Sequence, residues 1–198
     1  MCNKQNDIES ITIIIVIMLG NLFILVSVVA VFAANVNPVD NLDLLMYSGR
    51  WYQVIKDRFD MSFQGEGTCA VADYGLTETN VTVLNSQIDK DGKVDQIAGY
   101  AFYKPGNSGG DLTVQLDGVP TSAPYWVLEL GPIVNNQYEY SIISDNLSLS
   151  LFVITRNVTR YYANYEDTIK ESLIKYGFTG TLTKPITITQ DDCDYSKY

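Results

Sequence analysis

The stretch YSGRWYQVIKDRF, residues 47–59, holds the first of two tryptophans in the chain, Trp51, two positions after Gly49 and at the head of a run that alternates in polarity. A glycine before a bulky aromatic at the entry to such a run reads as a turn into a strand whose first large side chain anchors a core. Seven more strand-like runs follow: CAVADYGLT (69–77), NVTVLNSQ (80–87), VDQIAGYAFYK (94–104), DLTVQLD (111–117), YWVLEL (125–130), YEYSIIS (138–144) and LSLSLFVIT (147–155). Turn chemistry separates them, as in DKDG at 89–92, PGNSGG at 105–110 and SDN at 144–146. Eight strands on short connections are the pattern of an up-and-down barrel or a sandwich. One helix, ANYEDTIKESLIKYGF (163–178), sets Tyr165, Ile169, Leu173 and Tyr176 at helical spacing and ends near Gly177. The tail adds a short strand over 186–189.

Composition narrows the chemistry. The chain has 198 residues, enough for one domain with a sizeable core, and 46% of them are hydrophobic. It contains fourteen tyrosines and no histidine, so histidine catalysis and histidine metal sites are excluded. No metal or cofactor is expected. A formal charge of −10 argues against nucleic acid as a partner, because phosphate binding needs clustered Lys and Arg.

Residues 11–34, ITIIIVIMLGNLFILVSVVAVFAA, carry no charge in 24 positions, long enough to span a bilayer. VFA at 31–33 fits a cleavage site after Ala33, while the preceding MCNKQNDIES lacks the positive start of a usual signal peptide. Residues 1–33 are therefore read as a signal peptide or a signal anchor helix, and the remainder as exported. That remainder holds 12 basic and 21 acidic residues, a net charge of −9. It also holds Cys69 and Cys193; an even count in an exported domain points to one disulfide, with two free thiols as the alternative. Asn80-Val-Thr, Asn146-Leu-Ser and Asn157-Val-Thr fit the N-glycosylation pattern.

Alternation assigns faces. Leu112, Val114 and Leu116 share one face and Thr113 and Gln115 the other. Trp126, Leu128 and Leu130 fall together, opposite Tyr125, Val127 and Glu129. Ala70, Ala72, Tyr74 and Leu76 lie opposite Cys69 and Asp73, which are read as outward. Both faces of 147–155 are apolar, as expected where a helix packs outside.

LDLLMYSGRWYQV resembles the first motif of the lipocalin family, a short turn of helix and then Gly-x-Trp at the start of the first strand. In that family the tryptophan plugs the closed end of an eight-stranded antiparallel barrel, and an arginine after the eighth strand packs across it. LFVITRN supplies that arginine as Arg156. Within the family, GRWYQV, CAVADYGL, VTVLNSQ, VDQIAGYA, SAPYWVL and FVITRN resemble most the group of apolipoprotein D and the bacterial outer-membrane lipocalins. The resemblance covers residues 36–193, leaving 194–198 as a tail. NNQYEY departs from the family's middle motif, keeping only Tyr140, and GPIVNN reads as an insertion before it.

The resemblance implies an all-β barrel with one helix packed outside. It implies Gly49, Trp51 and Arg156 as a structural closed end, and a disulfide from Cys69 to Cys193. With alternation it implies a ligand cavity lined by Ala72, Tyr74, Val83, Ile97, Ala101, Leu112, Val114, Trp126, Leu128, Tyr140 and Phe152, with Tyr74, Tyr140 and Gln53 offering polar contacts. It places the mouth at the loops after strands one, three, five and seven, with DMSFQGEGT (60–68) as the candidate lid. The function it implies is carriage of a small hydrophobic ligand such as a fatty acid, sterol or retinoid, without catalysis. The alternatives are an exposed interaction module that uses the barrel as a scaffold, and a lipid-modifying enzyme, which an outward Cys69 disfavours. A membrane partner enters only through residues 11–34.

Overall fold

The computed structural model describes residues 12–19, 22–29, 36–58, 60 and 65–198, and the chain divides into two units, residues 1–34 and 35–198. In the first unit β1 (Thr12–Leu19) pairs antiparallel with β2 (Leu22–Val29). This differs from the helix expected over the apolar stretch. Its physical basis is composition: TIIIVIML and LFILVSVV are rich in Ile and Val, whose branched Cβ favours extended backbone. No helix among the described residues is long and apolar enough to cross a membrane. The cleavage site expected after Ala33 lies outside the described residues.

The second unit opens on α1 (Leu44–Tyr47), capped by the Asp43 carboxylate, which accepts from the N–H groups of Leu45 and Met46. Gly49 then takes φ +94°, where a Cβ would be strained and would also meet Arg156 Nη1 at 3.3 Å. From that turn start the barrel strands β3 (Gly49–Lys56), β4 (Thr68–Leu76), β5 (Val81–Ile88), β6 (Val94–Phe102), β7 (Asp111–Leu116) and β8 (Ala123–Leu130). The GPIVNN insertion folds as a small hairpin, β9 (Ile133–Val134) with β10 (Gln137–Tyr138). Its turn uses Asn135 and Asn136 at φ 49° and 62°, a conformation asparagine tolerates. The hairpin reaches α1, for Gln137 Nε2 donates to Ser48 O and Asp43 N–H donates to Tyr138 Oη. β11 (Tyr140–Ser144) and β12 (Leu151–Thr155) complete the series.

Each barrel strand pairs antiparallel with the next, and β12 pairs back onto β3. The result is the expected closed, eight-stranded up-and-down barrel. Its outer wall is covered by α2 (Val158–Asn164) and α3 (Glu166–Lys175), which meet at Tyr165. The helix begins five residues earlier than its spacing indicates. VTRYY is a poor helix former, and the Asn157 side chain starts it by accepting from Arg160 N–H. Ile169 and Leu173 are fully buried against Ile142 and Val153, and Gly177 ends the helix at φ +85°. The tail then adds β13 (Ile186–Thr187) to β3 at Lys56 and Ile55, beyond the point where β4 leaves that strand. Cys69 and Cys193 are joined, with Cα atoms 5.6 Å apart.

Candidate functional site: the barrel interior

Directly opposed residues in an antiparallel pair share a face, so the register identifies the lining. Trp51 faces Ala72, which faces Asn85, which faces Ile97. Tyr74, Val83, Gly99 and Leu116 form a second row. Ala101 faces Val114, Leu112 faces Tyr125, and Val127, Ile143, Phe152 and Lys56 run across the far wall. Leu130, Ser141, Ile154 and Gln53 make the next rung.

Of the expected lining, Ala72, Tyr74, Val83, Ile97, Ala101, Leu112, Val114 and Phe152 sit on this inner face. Trp126, Leu128 and Tyr140 do not. Trp126 opposes Asp111 and donates Nε1–H to its carboxylate at 2.7 Å, while Leu128 and Tyr140 pack with Tyr161, Ile169 and Leu173 on the outside. The phase fails on β8 and β11 for two reasons. The helices make the outer face of these strands apolar, and the inner face carries polar Tyr125 and Ser141. An irregularity between Ile142 and Ile143 also turns Glu129 outward beside Leu128, where it accepts from the hydroxyls of Tyr140 and Tyr176. Tyr47, Tyr125, Val127, Ser141 and Ile143 are inner residues that alternation leaves out.

One end is sealed. Trp51 is fully buried and donates Nε1–H to Tyr47 O at 2.8 Å. The Arg156 guanidinium lies 3.6 Å from the Trp51 ring centre. It donates to Arg50 O at 2.7 Å and to Met46, Tyr47 and Ser48 carbonyls at 3.2, 3.0 and 2.7 Å. Three of these groups, those of Met46, Tyr47 and Ser48, end or follow a four-residue helix, so the cation caps its carbonyl end. Burial pulls Arg156 down to about 10, so it stays charged at neutral pH.

Above this floor four hydroxyls form a chain. Ser141 Oγ meets Tyr47 Oη at 3.1 Å, Tyr47 Oη meets Tyr125 Oη at 2.9 Å, and Tyr125 Oη meets Tyr74 Oη at 3.1 Å. Burial pushes the Tyr74 phenol up to about 12 and raises Tyr47 and Tyr125 well above the ordinary phenol range, so all three are neutral donors and acceptors.

The opposite end holds acids. Lys56 is buried and donates Nζ to Gly65 O at 2.7 Å. Asp60 is buried, accepts from Leu151 N–H at 2.8 Å and gives its own N–H to Asp57. Burial first, then the charges of Asp57 and Asp145, push Asp60 up to about 8. Four of the nine residues of the candidate lid, 61–64, lie outside the described residues. Because the folded state favours protonated Asp60, its stabilising contribution is full below the ordinary carboxylate range and is lost as the pH rises towards 8. Asp60→Asn keeps an acceptor for Leu151 and removes the charge. It should raise stability by about 1–2 kcal/mol at mildly alkaline pH and change little near pH 4. Thermal unfolding across that range checks it; a gain that is largest in acid would refute it.

The profile of the lipocalin-like domain matches residues 42–185. Apolipoprotein D of Cavia porcellus is 40% identical over 90 residues, 45% of this chain and 46% of that protein, so the match spans less than half of that relative's length. Outer membrane lipoprotein Blc of Vibrio cholerae is 29% identical over 127 residues, 63% of this chain and 71% of that protein. Among solved structures, insecticyanin from Manduca sexta superposes with a TM-score of 0.59 at 16% identity, covering 84% of this chain and 88% of that one. Apocrustacyanin C1 gives 0.58 at 19% identity, covering 76% and 82%. Both structural likenesses carry the fold, and with the profile match over residues 42–185 they agree: the chain belongs to the lipocalin-like domain family.

Proposed function

We propose that residues 36–193 form a non-enzymatic carrier that holds one small apolar molecule in the barrel and works outside the cytosol. The observation that supports it is the inner face itself. It combines small side chains at Ala72, Gly99 and Ala101 with half-buried apolar ones at Ile97, Val114, Leu116 and Phe152. A packed core would bury that surface; left partly open, it stabilises a guest by about 25 cal/mol per Å² dehydrated. The disulfide fits an oxidising compartment. It also occupies both described cysteines, which leaves no described thiol nucleophile. Asn146 and Asn157 are exposed and Asn80 half-buried, which agrees with glycan acceptance at all three.

Trp126 stands outside the barrel and Trp51 at its sealed end, so tryptophan emission is a poor reporter. Native mass spectrometry with fatty acids, sterols and retinoids reads occupancy directly. Val114→Trp should fill the interior and weaken binding at least about tenfold, with an overpacking cost of about 1–3 kcal/mol. Saturable binding that survives Val114→Trp unchanged would move the site out of the barrel. No binding of any such ligand would favour the scaffold reading.

A further inference from the structure

The interior has more hydrogen-bond donors than it uses. Each hydroxyl carries one hydrogen. The Ser141–Tyr47–Tyr125–Tyr74 chain has three links and four hydrogens, so one of the four hydroxyls keeps a hydrogen that no link consumes. Gln53 adds a second surplus. It opposes inward-facing Ile154, so its side chain is on the inner face, and its Nε2 is buried with no hydrogen-bond partner. Ile154 in turn opposes Ser141. An acceptor beside Gln53 selects the direction in which the chain donates towards Ser141, and the two surpluses then flank one residue, on the rung just above Trp51. Buried donors left without acceptors are costly.

An acceptor brought by the guest would satisfy them, and its charge is constrained. Arg156 lies beyond the Trp51 ring, with Nη1 and Nη2 committed to backbone carbonyls and only its Nε without a partner, and Lys56 is tied to Gly65 at the other end. A carboxylate on this rung would be desolvated with no cation beside it. An alcohol would bring another hydrogen to a site already in surplus. Resting on the carrier reading above, we infer that the guest is an apolar molecule bearing an uncharged carbonyl, a ketone, aldehyde or ester. Its oxygen is seated between Gln53 Nε2 and the end of the hydroxyl chain.

The test uses the full chain and four probes of equal chain length: a long-chain methyl ketone, the alkane, the primary alcohol and the carboxylate. The ketone should bind about tenfold tighter than the alkane, with its carbonyl stretch shifted to lower wavenumber on binding. Gln53→Leu should erase most of that preference and reverse the shift while alkane affinity is kept, which also shows that the variant folds. Equal binding of ketone and alkane by the natural chain, or tightest binding of the carboxylate, overturns the inference and leaves the carrier reading standing. Failure of all four to bind overturns both.

Discussion

Arg156→Met is expected to lower the unfolding free energy by about 3–5 kcal/mol, with the denaturant midpoint moving and the slope unchanged. The side chain makes four charge-assisted contacts to backbone carbonyls and covers Trp51 at 3.6 Å. Methionine fills part of the volume and leaves those carbonyls facing an apolar floor. The cation–π contact adds about 1–2 kcal/mol in such a dry setting. Arg156→Lys should recover less than half of the loss, because an ammonium cannot spread donors over a fan of carbonyls. Emission from Trp51 should shift to the red in both variants as the ring loses its cover. A loss below about 1 kcal/mol for Arg156→Met would show that the floor stands without its cation.

Removing the disulfide through Cys69→Ala with Cys193→Ala should cost about 3–5 kcal/mol. The bond spans a sequence separation of 124, and a loop of that length has much conformational entropy to lose on closure. Other contacts hold the tail in place. Gln190 Nε2 donates to Gln53 O and Ala70 O, and Ile188 N–H to Val54 O. The reduced protein should therefore keep its native circular dichroism at low temperature and melt earlier. Cys69 faces the tail outside the barrel, so guest affinity should change less than about threefold. A large loss of affinity on reduction would mean that the bond shapes the cavity.

Strands β5 to β7 were readable from alternation because each has one face in the barrel and the other largely towards water. β8 and β11 defeated it because the helices give them two apolar faces, so Trp126, Leu128 and Tyr140 looked as fit for the interior as Val127 and Ile143. The partnership of Trp51 with Arg156 joins opposite ends of the domain. No local period carries it, and only the resemblance made it visible. The burial of Lys56, Asp57 and Asp60 has no local sequence signal; it depends on β12 and the 145–151 connection arriving from far along the chain. The hydroxyl chain was hidden for the same reason. Its members come from α1, β4, β8 and β11, and tyrosine on a strand is equally at home inside or out.

β3 meets β12 along one side and β13 at the end of the other. Both partners are synthesised after most of the barrel has been made. Until they arrive, the first strand offers a bare edge, and the carbonyls of α1 lack the arginine that caps them. Barrel closure is thus a late, long-range event, of the kind that proceeds in milliseconds to seconds rather than microseconds. Chains interrupted before residue 151 would display a pairing-ready edge, the feature through which nascent β proteins aggregate. The biosynthetic burden of this fold falls on whatever shields β3 during that wait.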